Sequence, residues 1–221
     1  MGGDARQDTA ASRSPGCGKY LDVWGRSLIN WVMTTSFWTG TRVRLRGVEP
    51  SDWDTFMRFD QHSGHQRSGE AVLPPRSAEG YRGWAKERST AKPEEDCFQL
   101  AIEAVGGPGQ AVGIINTYDA DPCAGHFRYG ISIGAEHQGQ GFATEAAVIL
   151  MRYMFAERRY HKCEVDIYGY NEASLALHRR LGFTEEGRRR EHAFLAGAYH
   201  DLVAMGLLAD EFAELHSLGG L

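Results

Sequence analysis

Between residues 126 and 159 the hydrophobic period changes from two to about 3.6 across one glycine-marked bend. His126–Gly134 sets Phe127, Tyr129, Ile131 and Ile133 against His126, Arg128, Gly130 and Ser132, the alternation of a half-buried strand. From about Phe142 to Arg159, Ala143, Ala147, Leu150, Met151 and Met154 form one apolar stripe, which predicts a helix. The join reads His137-Gln138-Gly139-Gln140-Gly141-Phe142-Ala143. Glycines at 139 and 141 let the backbone turn tightly and leave its N–H groups unshielded. Those groups then sit at a helix N-terminus, at the positive end of its dipole, where phosphate oxygens bind. The Lys-Ser/Thr of a P-loop is absent, and no GxGxxG opens a βαβ unit, so neither an NTPase nor a Rossmann site is indicated. A glycine-rich strand-to-helix turn also arises for purely structural reasons, so the bend alone leaves both readings open.

The remaining pattern predicts β-α-α-β-β-β-α-β-α-β-β. Arg42–Val48 alternates Val43 and Leu45 with Arg42, Arg44 and Arg46. Ser51-Asp52-Trp53-Asp54 fits a capping box ahead of Trp53, Phe56 and Met57. Residues 61–76 read as a loop leading to a second helix around Ser77–Thr90. Cys97–Glu103 and Gln110–Tyr118 make strands about a Gly-Pro turn. Lys162–Tyr168 is the next strand, and Asn171 caps a helix that ends at Leu181 before Gly182. Phe183–Arg190 and Tyr199–Leu208 close a hairpin through Gly197. The compact domain is expected over residues 41–212, with an N-terminal extension over 1–40 and a C-terminal tail over 213–221. Residues 1–19 are polar and glycine-rich, residues 20–38 carry Trp24, Trp31 and Trp38, and Met33 offers an alternative start.

Two motifs in fixed order carry a resemblance. Gln138-x-x-Gly141-x-Ala143 resembles the Gln/Arg-x-x-Gly-x-Gly/Ala signature of the GNAT superfamily (GCN5-related N-acetyltransferases), and Asn171-Glu172-Ala173-Ser174-Leu175-Ala176-Leu177-His178 running to Gly182-Phe183 resembles its second hallmark. The stretches Gly182–Gly187 and Tyr199-His200-Asp201 are similar to the subgroup of ribosomal-protein N-terminal and spermidine N-acetyltransferases. The resemblance spans about residues 41–210. It implies an α+β fold: a mixed, mostly antiparallel seven-stranded sheet with helices on both faces and a cofactor cleft where the fourth and fifth strands splay. It implies acetyl-CoA as cosubstrate, with Gln138, Gly139, Gln140, Gly141, Phe142 and Ala143 at the pyrophosphate, Ile131 and Ile133 pairing with pantetheine, and Asn171 and Ser174 beside that arm. A plain N-cap for Asn171 and a surface serine for Ser174 are compatible with the sequence too.

The implied activity is acetyl transfer to a primary amine by direct attack on the thioester. The acceptor is a protein N-terminus or a small molecule such as an antibiotic or other natural product. An alkyl amine titrates near 10, so a proton must be removed near neutral pH. Relatives often place a tyrosine five residues before the Gly-Phe phenylalanine to protonate the thiolate; here that position is His178. Imidazole can donate a proton, or it can be a solvated helix residue. Relatives often have an acidic base on the fourth strand, and Arg128 stands there instead, which disfavours a polycationic acceptor. Remaining base candidates are Glu103, Asp119 and Glu136, with Ser132 holding a water, or a water chain with no carboxylate at all. Glu145 lies too near an anionic cofactor for a base, but can orient backbone.

Other features carry less. His62 and His65 can line a substrate mouth but lack a third ligand, so no metal site is expected. Arg188-Arg189-Arg190 reads as a strand end, and His200 and Asp201 point to opposite faces. Cys17, Cys97, Cys123 and Cys163 form no CxxC pair and suit reduced thiols in the cytoplasm. No run of 18 apolar residues suggests a membrane span. A net charge of −5 argues against nucleic acid. A GNAT-fold enzyme taking aminoacyl-tRNA as donor, through the arginine clusters, is the alternative enzyme class. A non-catalytic CoA-binding or assembly module is the alternative without chemistry, and a homo-oligomer is compatible with either.

Overall fold

The structure is a computed structural model and describes residues 36–69, 72–92, 94 and 96–216. Trp24, Trp31, Met33 and Cys17 lie outside the described residues. Seven strands, β1 (Val43–Arg46), β2 (Gln99–Ala104), β3 (Ala111–Asp121), β4 (His126–Ile133), β5 (Lys162–Tyr168), β6 (Thr184–Leu195) and β7 (Ala198–Leu208), form one sheet in the order β1-β2-β3-β4-β5-β7-β6. Every neighbouring pair is antiparallel except β4 and β5. The α+β architecture that the resemblance implies is therefore present.

Helices cover both faces. On one lie α1 (Trp53–Asp60), α2 (Ser63–Gly69) and α3 (Ala78–Thr90). There Phe56 and Phe59 pack with Val48, Ala101 and Ala111. On the other lie α4 (Phe142–Arg152), α5 (Glu172–Leu181) and α6 (Ala209–Leu215). They bury Leu150, Met151, Leu181 and Phe212 against Phe127, Val165 and Val203. The last residues of the α4 run, Tyr153–Glu157, are wound as a π-helix, and Tyr153 carries the ring of Trp38 at 4.7 Å. Trp38 thus belongs to the packed domain, whose contacts begin a few residues before position 41. At the other end α6 runs across position 212, with Phe212 buried beneath it.

Two local expectations shift. The helix entry near position 50 is set earlier than Ser51: Pro50 opens a 3-10 turn, and the Asp52 carboxylate accepts from the Glu49 N–H at 2.8 Å. Proline at the first helical position gives up an N–H that would be unsatisfied anyway, so the turn starts there. Within the 61–76 stretch expected as loop, Ser63–Gly69 is helical. Its two glycines give it little propensity of its own. Tertiary bonds hold it: His65 reaches Ser132, and the Arg67 carbonyl accepts from the Tyr170 hydroxyl.

The feature that positions the site is the β4–β5 pair. Its parallel ladder covers only His126–Lys162, Phe127–Cys163 and Arg128–Glu164, although both strands continue. Beyond Arg128 the sheet opens into a slit.

Candidate active site

The bend after β4 is built as its glycines suggest. Gly139 (φ 75°) and Gly141 (φ 80°) occupy the left-handed region, which other residues enter at a cost. No protein acceptor among the described residues meets the amides of residues 139–144. They form an unfilled row of donors at the start of α4, where the helix dipole adds positive potential.

Three contacts hold this row open. Gln138 Nε2 donates to the Ile133 carbonyl at 3.1 Å, tying the bend to the strand it leaves. Arg42 Nη1 donates to the Gln140 carbonyl at 3.2 Å, which sets a guanidinium beside the free amides. The Glu145 carboxylate accepts from Thr41 N (2.9 Å), Thr41 Oγ1 (2.7 Å), Arg42 N (2.7 Å) and Val43 N (2.7 Å). Partial burial works against its charge, yet these donors hold the carboxyl below its ordinary range. Glu145 therefore clamps β1 to the first turn of α4, the orienting role its position suggested. Arg42 is a candidate phosphate partner that the strand pattern alone did not single out, since it alternated with Arg44 and Arg46 as one outward row.

The slit supplies a second row of main-chain groups. Gly134 N donates to Val112 O at 2.9 Å, continuing the β3–β4 register in which Ser132 faces Ile114. In an antiparallel ladder the hydrogen-bonded pairs alternate, so the even-numbered residues of β4 bond to β3. Ile131 then turns its N–H and C=O toward β5, where the ladder has ended, and Ile133 its N–H, while the Ile133 carbonyl already accepts from Gln138 Nε2. An extended ligand amide can meet them there. The opening is about 560 Å³ and is lined from both sheet faces.

Toward α5, the wall holds Tyr129, Ser174 and His178. His178 is 4% exposed. Its Nδ1 lies 2.8 Å from the Ser174 carbonyl and its Nε2 lies 2.9 Å from the Tyr129 hydroxyl. A carbonyl only accepts, so Nδ1 carries the hydrogen, and in the neutral ring Nε2 accepts from Tyr129. Burial keeps the ring neutral by lowering its pKa, with the Ser174 bond opposing in part. Burial also pushes the Tyr129 phenol well above its ordinary value. His178 is thus a buried, doubly bonded ring and not a solvated helix residue, and the hydroxyl beside it was not anticipated. Its signal was the aromatic at an inward position of β4, which in sequence looked like core. Asn171 caps α5 by accepting from Ser174 N at 3.1 Å.

Toward α1 and α2, Ser132 Oγ lies 2.9 Å from His65 Nε2. Asp60, Asn116 and Tyr118 line the same side. Arg128 is neutralised there: Nη1 bonds Asp166 at 2.9 Å, with Glu164 at 3.8 Å. The structure does not bring Glu103 to the slit. It lies across the sheet between Arg44 (2.7 Å) and Arg46 (2.6 Å), which outweigh its burial and lower its pKa. Asp119 and Glu136 are exposed and do not line the opening either. His200 bonds the Leu195 carbonyl while Asp201 faces Arg188, as their opposite faces require. Among the described residues no group of acids, histidines or cysteines could hold a metal, and no helix is long and apolar enough to cross a membrane.

Comparison with known proteins matches residues 42–184 to the Acetyltransferase (GNAT) domain family. The chain is 34% identical over 184 residues to the SPbeta prophage-derived uncharacterized N-acetyltransferase YokL of Bacillus subtilis (strain 168), covering 83% of this chain and 99% of that one. It is 29% identical over 104 residues to the [Ribosomal protein uS5]-alanine N-acetyltransferase of Escherichia coli (strain K12), covering 47% of this chain and 54% of that protein. Among solved structures, the spermidine N-acetyltransferase from Vibrio cholerae in complex with CoA and spermine superposes with a TM-score of 0.66 at 20% identity, covering 78% of this chain and 99% of the other. At that identity the likeness speaks for the fold.

Proposed function

The chain belongs to the GNAT family of N-acetyltransferases, and on that premise we propose that it moves the acetyl group of acetyl-CoA onto a primary amine by direct attack. The observation that carries the reading is the alignment of two rows of main-chain groups that the sheet and helix ladders leave over. Amides 139–144 wait at the bend, and the Ile133 N–H and the gap-facing groups of Ile131 continue from them along β4. A diphosphate joined to an extended diamide arm has that sequence of needs. Both glycines suit it, since no atom stands within 4 Å of a side chain at Gly139 and the nearest atoms to one at Gly141 belong to Arg42, at 3.7 Å.

The cosubstrate supplies the thioester. The amine nitrogen bonds the acetyl carbon, the C–S bond breaks, and the electron pair leaves on sulfur. The proton lost by nitrogen balances the one that sulfur gains. Tyr129 contributes a hydroxyl that can turn from His178 toward a departing thiolate, and His178 positions that hydroxyl. This assigns the expected role of His178 to the pair, with the phenol as the group that faces the ligand. The acceptor is an amine-bearing small molecule or a protein N-terminus. Two relatives are named for spermidine and for ribosomal protein uS5 alanine.

The donor reading favours CoA over aminoacyl-tRNA because most arginines of the clusters near the strands are paired locally. Arg44 and Arg46 bind Glu103 and Asp52, Arg158 binds Asp96, and Arg188 binds Glu185 and Asp201. Those pairs, with a net charge of −5, weaken the field that would draw in a phosphate backbone. Mass spectrometry of an amine panel incubated with acetyl-CoA tests the proposal. Spermidine, benzylamine and a peptide with a free N-terminal alanine represent the classes, and at least one should gain a single acetyl group. Tight CoA binding with no acetylated product across the panel would favour the non-catalytic module.

A further inference from the structure

The slit is flanked by two hydroxyl–imidazole pairs on opposite faces of the sheet. Tyr129 and Ser132 stand three residues apart on β4, so their side chains leave opposite faces. Tyr129 meets His178 on the α5 side and Ser132 meets His65 on the α2 side, each pair at 2.9 Å. The first accounts for the sulfur. The second has no place in the function described so far.

We propose that Ser132 and His65 form the relay that takes the proton from the acceptor nitrogen, so that the amine enters from the α1–α2 face. The proposal rests on the acetyl-transfer reading. Ser132 Oγ is the contact atom. It accepts the proton of the ammonium while its own hydrogen passes to His65 Nε2, which leaves a neutral nitrogen with a free electron pair and an imidazolium at position 65. No bond to carbon forms or breaks in this step. Ser132 is therefore the catalytic group, and His65 a positioning and proton-holding residue.

The surroundings of His65 suit that task. Its ring lies 5.8 Å from that of Phe59 on α1. Burial first of all, and also the neighbouring His62, lower its pKa, while Asp60 on α1 and Glu136 after β4 act the other way. The ring is consequently neutral and able to accept at physiological pH, and the two carboxylates are near enough to steady the imidazolium once formed. Glu103, Asp119 and Glu136 do not line the slit, and of the two carboxylates that do, Asp166 pairs with Arg128 and Asp60 accepts from the Tyr81 hydroxyl, so the Ser132–His65 pair is the hydroxyl–imidazole relay on the acceptor side.

The test compares two nucleophiles. A primary alkylamine is protonated at neutral pH and needs the relay; O-methylhydroxylamine is already unprotonated and does not. Acetyl transfer is measured as thiol release with wild type, His65→Gln and Ser132→Ala, using an alkylamine that wild type acetylates. Gln keeps a hydrogen-bond partner for Ser132 but holds no proton. The expected result is a loss in kcat/KM on the order of 100-fold for the alkylamine in both variants. O-methylhydroxylamine should change little, and calorimetric CoA affinity should stay as in wild type. The wild-type pH profile should fall only below the ordinary histidine range, because His65 must be neutral to accept, and His65→Gln should lose that acid limb. Equal losses on both nucleophiles would assign the pair a structural role and overturn the relay, as would unchanged alkylamine rates. Wild type inactive on every amine would instead remove the acetyl-transfer reading and the relay with it.

Discussion

Replacing Glu145 with glutamine should destabilise the fold and loosen the bend in one stroke. In the native structure one carboxylate oxygen accepts from Thr41 N and Thr41 Oγ1, and the other from Arg42 N and Val43 N. A carboxamide keeps one acceptor oxygen and turns an NH₂ toward two donors, so two of the four bonds are lost. Hydrogen bonds to a charged acceptor contribute about 1.5–3 kcal/mol each, and the half-exposed site lets water recover part of that. The net loss is about 2–4 kcal/mol. For a domain of this size that lowers Tm by roughly 5–15 °C. Scanning calorimetry reads the melt, and titration calorimetry should show CoA affinity falling about tenfold, equivalent to about 1.4 kcal/mol. The same clamp must depend on pH in a defined sense. The Glu145 pKa is depressed in the folded state, so its contribution is present above the ordinary glutamate value and lost as pH falls through the lower one. Glu145→Gln should therefore lose less stability than wild type on acidification below about pH 4.5. A melt within about 1 °C of wild type at pH 7 would refute the clamp.

Three further outcomes follow from the same geometry. Arg42→Ala should weaken CoA by roughly 1–2 kcal/mol, the scale of a charge-assisted bond, and leave pantetheine binding unchanged; equal effects on both ligands by calorimetry would contradict a phosphate contact. Tyr129→Phe should lower kcat about 100-fold with donor KM nearly constant, and His178→Gln should do so to a smaller degree; a pure KM effect in steady-state kinetics would reassign the pair to binding. His65, His178 and His216 all have depressed folded pKa values, with burial as the leading cause. The unfolded chain thus takes up protons first as pH falls below about 6.5, so Tm should decline from there, and a flat Tm between pH 7 and pH 5 would contradict their burial.

The strands and helices with strong periods could be read in the chain because each has an inward face of its own. Lys162–Tyr168, the Asn171 cap and the Gly182 stop are found where the pattern put them. Ser63–Gly69 could not be read, because its helicity comes from bonds to residues 132 and 170 that no local window contains. The bend at 138–143 was legible through glycines that only a turn or a close approach requires. The walls of the slit were not. Tyr129 looked like core, His65 sat in apparent loop, and Glu103 had no visible partner, because register between strands decides which of them meet. Arg128 is the same lesson in charge: as a lone letter it was a cationic wall, and Asp166 on the neighbouring strand cancels it.

Amide chemical shifts report most directly on where the nucleotide is held. In a ¹H–¹⁵N spectrum of the full chain titrated with CoA, the resonances of Gly139 to Thr144 should move together and saturate at one affinity, with Ile131 and Ile133 following. Saturable binding that leaves those backbone signals in place, while shifts gather on another part of the surface, would contradict the account.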